Sequence, residues 1–383
     1  MPRRAKGARL YLHPAERVWL IRDGEITRRT GCGEFDRDGA EKGLAAYLAS
    51  KFKPVANAHS PARLSVVEVL SAYGAEHAPY VKGSRTQGYA LAALTGFWSD
   101  KMLCEVRGAS CRAYAAARGC SVSDGTIRRE LSVLSAAINH WHREHGPLDA
   151  VPVVTMPAKA PPRERYLTRG EAALLLAGAL GWYRERWCDV ATRAEGYRWR
   201  RSRHEINRHT ARFILLGLYT GTRHGALLGV QWIANGAGGR IDLEAGVMYR
   251  KADRQVETKK RQPPVKLGRH ILAHLRRWRG MDERARALDQ KRHGAAAASW
   301  LHIVAYQGRG LEKLRRSWDT ACDLAGLGSD VIPHTMRHTR ATWIMQEGVD
   351  HWEAANALGM SLKTLTEVYG HHHPSWQKRA AEV

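Results

Sequence analysis

At 383 residues and 44% hydrophobic content the chain can build two or three cores, and its six scattered cysteines offer neither a CxxC pair nor a metal-ligand spacing. Sixty-one Lys+Arg against thirty-seven Asp+Glu leave a net charge of +24, which points to a polyanionic partner and says nothing about fold. No apolar run is long enough to span a bilayer, the basic start MPRRAKGARL has no apolar stretch of a secretory kind, and a reduced, cytoplasmic setting is expected.

Taken in chain order, RLYLHP, RVWLIRDG and EITRRTGCG read as three strands, with Asp23-Gly24 as a hairpin turn. AEKGLAAYLASKF has helical spacing and a basic end that suits a helix C-terminus. Residues 1–60 thus form a small sheet-plus-helix module, either a DNA-binding face or a packing appendage. Between 62 and 146, four amphipathic stretches follow: SVVEVLSAYGAEH, TQGYALAALTGFWSD, GASCRAYAAARG and DGTIRRELSVLSAAINHWHREHG. In the fourth, Asp124 or Thr126 serves as cap, and Leu131, Leu134, Ile138 and Trp141 share one face. Arg128 and Arg129 oppose the helix dipole in its first turns, which a phosphate partner would offset.

VPVVTMPAKAPPRERYLT is proline-rich and extended, so residues 151–165 read as a linker between a helical domain at 61–150 and a further domain at 166–383. Thr168 is the expected cap of the first helix beyond it. Residues 151–383 carry 39 Lys+Arg against 22 Asp+Glu, or +17 of the +24. The segment WYRERWCDVATRAEGYRWRRSRHE, at 182–205, concentrates Arg198, Arg200 and Arg201 and is a candidate for contacts with a nucleic-acid backbone.

ARFILLGLYTGTRHGALLGVQW is an apolar helix broken by a glycine-flanked turn that holds Arg223, a charge that needs a partner in such surroundings. IDLEAGVMYRKADRQVETKKRQPPVKL reads as a hairpin whose second arm carries Lys259, Lys260 and Arg261. VIPHTMRHTRATWIMQEGVD is a helix that opens at Pro333-His334, so His334 and Arg337 project from one face of its first turn. DHWEAANALGMSLKTLTEVYG gives a helix, a turn at Gly359 and a second helix capped by Ser361, with Tyr369 at its end within reach of solvent.

This order of residues (Arg223, a hairpin lysine, His334-x-x-Arg337, Tyr369) resembles the tyrosine recombinases, the phage integrases and their relatives. TGTRHGALLGVQW resembles the family's first arginine box; HTMRHTRATWIMQEGVD with LGMSLKTLTEVYGHHHP resembles the second, and the 32 residues from Arg337 to Tyr369 match its usual span. The resemblance is strong over 166–375, consistent over 62–146 and faint over 1–60, where it suggests an arm-type DNA-binding module. It implies a mainly helical α+β fold: a three-stranded sheet with a helix, a helical core-binding domain and a mixed catalytic domain.

The resemblance further implies that Tyr369 attacks a scissile phosphodiester, giving a 3′-phosphotyrosine and a free 5′-hydroxyl. Arg223 and Arg337 would hold the non-bridging oxygens with forked hydrogen bonds, each donor of that kind contributing about 3–4 kcal/mol. His334 is the nearest candidate to help deprotonate the phenol, His338 reads as a packing residue, and Lys259 or Lys260 would protonate the leaving oxygen. No metal or cofactor is expected. Expected partners are duplex DNA with attachment-type sites, copies of the same chain in a tetramer on DNA (monomeric when free), and accessory DNA-bending proteins; no membrane is involved. Two departures stand out. Met360 occupies a position where the family has a donating His or Trp, leaving His371, His372 or His373 as substitutes, and Ala226 replaces an acidic support of the first arginine. They keep open a catalytically impaired DNA-binding protein of the same fold, beside a type IB topoisomerase-like activity. Trp141, Trp232 and Trp343 read as core residues.

Overall fold

A computed structural model of the protein describes residues 8–51, 59–81, 83–159, 164–188, 193, 195–203, 206–234, 236–253, 261–377 and 381. Its architecture is mainly helical with small antiparallel sheets, the α+β class expected from the sequence. The chain divides into two compact units, Met1–Pro162 and Arg163–Val383. Among the described residues no helix is long and apolar enough to cross a membrane.

The first unit opens with strands β1 (Arg9–Leu12), β2 (Val18–Asp23) and β3 (Ile26–Gly33) in the order β1-β2-β3, followed by helix α1 (Arg37–Lys51). Leu20 and Ile21 of β2 and Ala40 of α1 are buried. Next come α2 (Val66–Glu76), α3 (Ser84–Trp98), α4 (Gly108–Gly119) and α5 (Asp124–Glu144). Leu131, Leu134, Ile138 and Trp141 of α5 are all buried, because their 3- and 4-residue spacing puts them on the stripe that meets α2 and α3. The cap of α5 is Ser123 rather than Asp124 or Thr126: its backbone is extended, whereas Asp124 already lies in the helix. Beneath this stripe a buried Glu130 accepts from Tyr114 Oη at 2.6 Å and from the Arg118 fork at 3.1 and 2.6 Å, so the charge enters the core paired.

The second unit starts at α6 (Arg169–Ala179), where Thr168 and Glu171 form a reciprocal capping box. Within 182–205, an inter-helix segment by sequence, β4 (Trp182–Cys188) and β5 (Glu195–Arg201) form a two-stranded antiparallel ribbon. Helix α7 (Arg208–Thr220) stops at Gly221, and α8 (His224–Leu228) restarts with Arg223 as its first flanking residue. The expected hairpin is a three-stranded sheet, β6 (Arg240–Asp242), β7 (Val247–Tyr249) and β8 (Val265–Lys266). Arg261 therefore precedes the last strand instead of lying within it; Lys259 and Lys260 fall outside the described residues. Then follow α9 (Arg269–His293), the short pair β9 (Ala305–Tyr306) and β10 (Arg309–Gly310), α10 (Arg315–Ala325), α11 (Thr335–Gln346), α12 (His351–Leu358) and α13 (Leu362–Tyr369).

One core joins α6 to α11 and includes Phe213, Trp232, Trp318 and Trp343. Two directional bonds align α11 with the start of α6: Leu167 N–H donates to Thr339 Oγ1 at 2.9 Å, and Trp343 Nε1 donates to the Leu167 carbonyl at 3.1 Å. Arg212 of α7 forks onto Asp282 of α9, both bonds 2.8 Å, and Trp232 Nε1 donates to the same carboxylate at 3.0 Å. A second, smaller core formed by α11, α12 and α13 holds Leu358, Leu365 and Tyr369.

Candidate active site

Three arginines from three separate elements converge on the C-terminal end of α12. Arg223 leaves the α7–α8 break and donates from Nη1 to the Arg261 carbonyl at 2.9 Å and from Nη2 to the Gly359 carbonyl at 3.2 Å. Arg337, in the first turn of α11 and only 5% exposed, donates to the carbonyls of Gly221 (2.8 Å), Leu358 (2.6 Å) and Gly359 (3.5 Å). Arg250, just past β7 and 4% exposed, donates from Nε to Thr222 Oγ1 at 2.8 Å. It also donates to the carbonyls of Thr220 (2.8 Å), Ala357 (2.6 Å) and Pro263 (3.2 Å).

Ala357, Leu358 and Gly359 are consecutive, so the unsatisfied carbonyls of one helix end, where the helix dipole is negative, hold all three guanidiniums. Two glycines make the approach feasible. Gly359 has φ +63°, and a Cβ there would lie 2.7 Å from Pro263 Cδ and 2.9 Å from the Arg261 carbonyl. Gly221 has φ +62°, and a Cβ there would lie 2.4 Å from Leu358 Cδ2.

Among the described residues no carboxylate pairs with any of these arginines. Burial, then repulsion from Arg337 and Arg223, pushes Arg250 down to about 9; burial and Arg223 push Arg337 down to about 10. Burial lowers Arg223 as well. All three stay cationic at neutral pH. Backbone dipoles satisfy their hydrogen bonds but not their net charge, and such a cluster is suited to a multivalent anion.

Tyr369 closes α13 and is 6% exposed, so it is buried where the sequence suggested solvent access. Its hydroxyl lies 2.7 Å from His338 Nδ1, the contact set by packing α13 on α11. Burial pushes the phenol up to about 12, against the pull of the Arg337 charge. Burial and Arg337 together hold His338 below the ordinary imidazole range, so it is neutral at pH 7 and Nδ1 is free to accept the phenolic hydrogen. His334 stands behind it, ring edge to ring face with centroids 5.0 Å apart, and is pushed down to about 4 by burial and then by His338.

Arg223, Arg337, His334 and Tyr369 therefore lie in one cluster. Two residues of the cluster were missed. His338 was read as packing, although its place one residue after Arg337 put it on the same turn. Arg250 continues the alternation of β7, where Met248 is buried and Arg250 points the same way, and this period of two was its signal. Met360 packs against the small apolar core with Val368 and Val349. His372 meets Tyr166 edge to face at 5.2 Å, and His373 Nδ1 lies 2.6 Å from Ser375 Oγ. Outside the cluster, Arg128 donates to the Pro157 carbonyl of its own unit, and Arg129 is exposed. Arg198 and Arg200 both donate to Glu185 Oε2, at 2.5 and 2.9 Å, while Arg201 lies 5.4 Å over the Trp182 ring.

The model of the phage integrase family matches residues 201–375. A tyrosine recombinase XerD of Corynebacterium glutamicum is 43% identical over 47 residues, 12% of this chain; the chain spans only 16% of that relative's length. The structure of the Tn1549 transposon integrase in complex with transposon right end DNA matches 83% of this chain and 98% of its own, at 14% identity and a TM-score of 0.56. That of a lambda integrase dimer bound to a COC′ core site matches 96% of both chains at 16% identity and a TM-score of 0.51. These structural likenesses establish a common fold.

Proposed function

With residues 201–375 matching the model of the phage integrase family, we propose that the protein is a site-specific DNA recombinase that cuts and rejoins duplex DNA through a covalent bond at Tyr369. One observation carries the reading: a buried tyrosine bonded to a neutral histidine, beside two buried arginines and the half-buried Arg223, none with a carboxylate partner among the described residues. The Tyr369 oxygen attacks phosphorus, its proton passes to His338 Nδ1, and the bond to the 5′-oxygen breaks. Arg223 and Arg337 hold the non-bridging oxygens as charge builds there, and Arg250 keeps both in register through the Thr220–Thr222 turn and the end of α12. The departing oxygen takes a proton from a hairpin lysine, Lys259 or Lys260, with Lys251 next to Arg250 a further candidate. Attack of a 5′-hydroxyl on the phosphotyrosine reverses these steps and seals the strand. The phosphotyrosine conserves the bond energy, and no nucleotide is consumed.

The same reading assigns residues 1–60 to an arm-type DNA-binding module, 61–150 to a core-binding domain, 151–165 to a linker and 166–383 to the catalytic domain. Its substrate is duplex DNA with attachment-type sites on a mobile element, joined by four copies of the chain and accessory DNA-bending proteins in the cytoplasm. Arg128, Arg129, Arg198, Arg200, Arg201 and Arg261 remain candidate contacts to the DNA backbone. One observation favours a second reading, a DNA-binding protein with impaired cleavage: Met360 is turned into the apolar core and offers no hydrogen bond to a phosphate.

Covalent trapping separates the two. The protein and Tyr369→Phe are incubated with nicked suicide duplexes that carry candidate attachment sequences. The recombinase reading expects an adduct that survives denaturation, depends on sequence and is lost in the variant. Adducts on any duplex would indicate a topoisomerase-like activity, and tight binding without an adduct would sink the catalytic reading.

A further inference from the structure

The first unit holds a group of side chains that recombination chemistry does not use. Glu76 is the last residue of α2, His140 lies in the last turns of α5, and His145 is that helix's C-cap. The separation in sequence is 64 and 69 residues, yet His140 Nε2 lies 2.8 Å and His145 Nε2 2.9 Å from the Glu76 carboxylate. One ligand atom from each of the three residues falls within 4.8 Å of the others.

We infer that Glu76, His140 and His145 form a binding site for a divalent transition-metal ion of the zinc class. Two imidazoles and a carboxylate are a donor set suited to such an ion, which leaves a fourth position to water. With bonds of about 2.0–2.1 Å, tetrahedral ligands lie about 3.4 Å apart, so each of the two imidazole–carboxylate pairs needs to open by only about half an ångström. Each ring now donates Nε2–H to the carboxylate. Moving that hydrogen to Nδ1 exposes an Nε2 lone pair and leaves the ring charge unchanged, so two donors become two ligands.

Three features favour a cation here. Two helix C-termini, each with a partial negative charge, meet at the cluster. The rings are already oriented: His145 stacks on Trp141 with centroids 4.4 Å apart, and His140 meets Tyr73 edge to face at 5.5 Å. Access is open, since the Glu76 side chain is 42% and that of His145 32% exposed, while His140 anchors the cluster from the interior. A bound ion would fasten α2 to α5 at their C-terminal ends.

The test uses the full chain stripped with EDTA and titrated with zinc chloride, reading bound zinc per chain after gel filtration and the shift in thermal unfolding. Glu76→Gln, His145→Ala and a variant with His371, His372 and His373 all changed to Ala are compared. The expected result is one zinc per chain and a raised melting temperature, both lost in Glu76→Gln and in His145→Ala and kept in the triple variant. Metal-free melts check that each variant folds; Glu76→Gln retains a carbonyl acceptor for the two rings. No stoichiometric uptake, or uptake that survives in Glu76→Gln and His145→Ala, overturns the inference. Neither outcome bears on Tyr369, so the recombinase reading stands or falls separately.

Discussion

A guanidinium needs five acceptors, and Arg250 finds four of them in one side-chain oxygen and three carbonyls that belong to three different segments. Arg250→Lys keeps the charge but cannot fork to those segments. Each buried carbonyl left without a donor costs about 1–3 kcal/mol. The expected outcome is a lower melting temperature and adduct formation slowed at least about tenfold, with duplex affinity nearly unchanged because charge is retained. Single-turnover trapping beside binding isotherms checks this; a parallel loss of affinity would mean that Arg250 contacts DNA directly. His338 makes a prediction in pH. Its folded-state value lies below the ordinary 6.5, so the ring stays an acceptor throughout the neutral range and is protonated only on the acid side. Adduct formation should therefore be level through neutrality and decline below about pH 6.5. His338→Ala should abolish that decline and slow the reaction on the order of a hundredfold, the usual worth of a general base. If His334→Ala alone removes the acid limb, the proton goes to His334 instead.

At the scale of elements, the ribbon of β4 and β5 has two unlike faces. Alternation puts Trp182, Arg184 and Arg186 on one face with Tyr197, Trp199 and Arg201, and Glu185 on the other with Arg198 and Arg200. Glu185 already partly neutralises the second face. On the first, Arg186 pairs with Glu195, whereas Arg184 lies 4.4 Å over the Tyr197 ring and Arg201 5.4 Å over Trp182, with no carboxylate partner among the described residues. A two-stranded ribbon also fits the width of a DNA major groove. Replacing Arg184 and Arg201 together by Ala is expected to weaken duplex binding and flatten its log–log salt dependence by about two, with a smaller change for Arg198 and Arg200. Equal salt slopes for the two pairs would count against a face-specific role. Helix α12 acts chiefly through the carbonyls at its C-terminal end, which brace the arginines without adding a competing negative charge.

Over the whole molecule, +17 of the +24 lies in residues 151–383, the part that also holds the arginine cluster. What could be read in advance was local in sequence. Arg223 sits in a break flanked by glycine, His334 and Arg337 share one turn, and Thr168 precedes a capping glutamate; each is a short-range pattern. The α5 stripe was legible because one face of a helix must be apolar to be buried. What escaped depends on elements meeting across the fold. The Tyr369–His338 bond spans 31 residues and exists because α13 packs on α11, which also buries the phenol. Arg250 lay outside both boxes. The ribbon escaped because neither of its faces is apolar, so the alternation that normally marks a strand was hidden among arginines and aromatics.

The burial of Tyr369 carries a consequence for the life of the protein away from its target. A phenol held near 12 and engaged by a neighbouring imidazole is almost entirely protonated at cellular pH, and only 6% of its surface meets solvent. Such a group is a poor nucleophile toward stray electrophiles, and under the proposed function it stays dormant while the chain is away from its site. On the proposed recombinase reading, reactivity becomes a property of the complex with DNA: an anion lodged among the arginines supplies the electrophile, and a break made at the wrong place is disfavoured by the resting chemistry of a single oxygen atom.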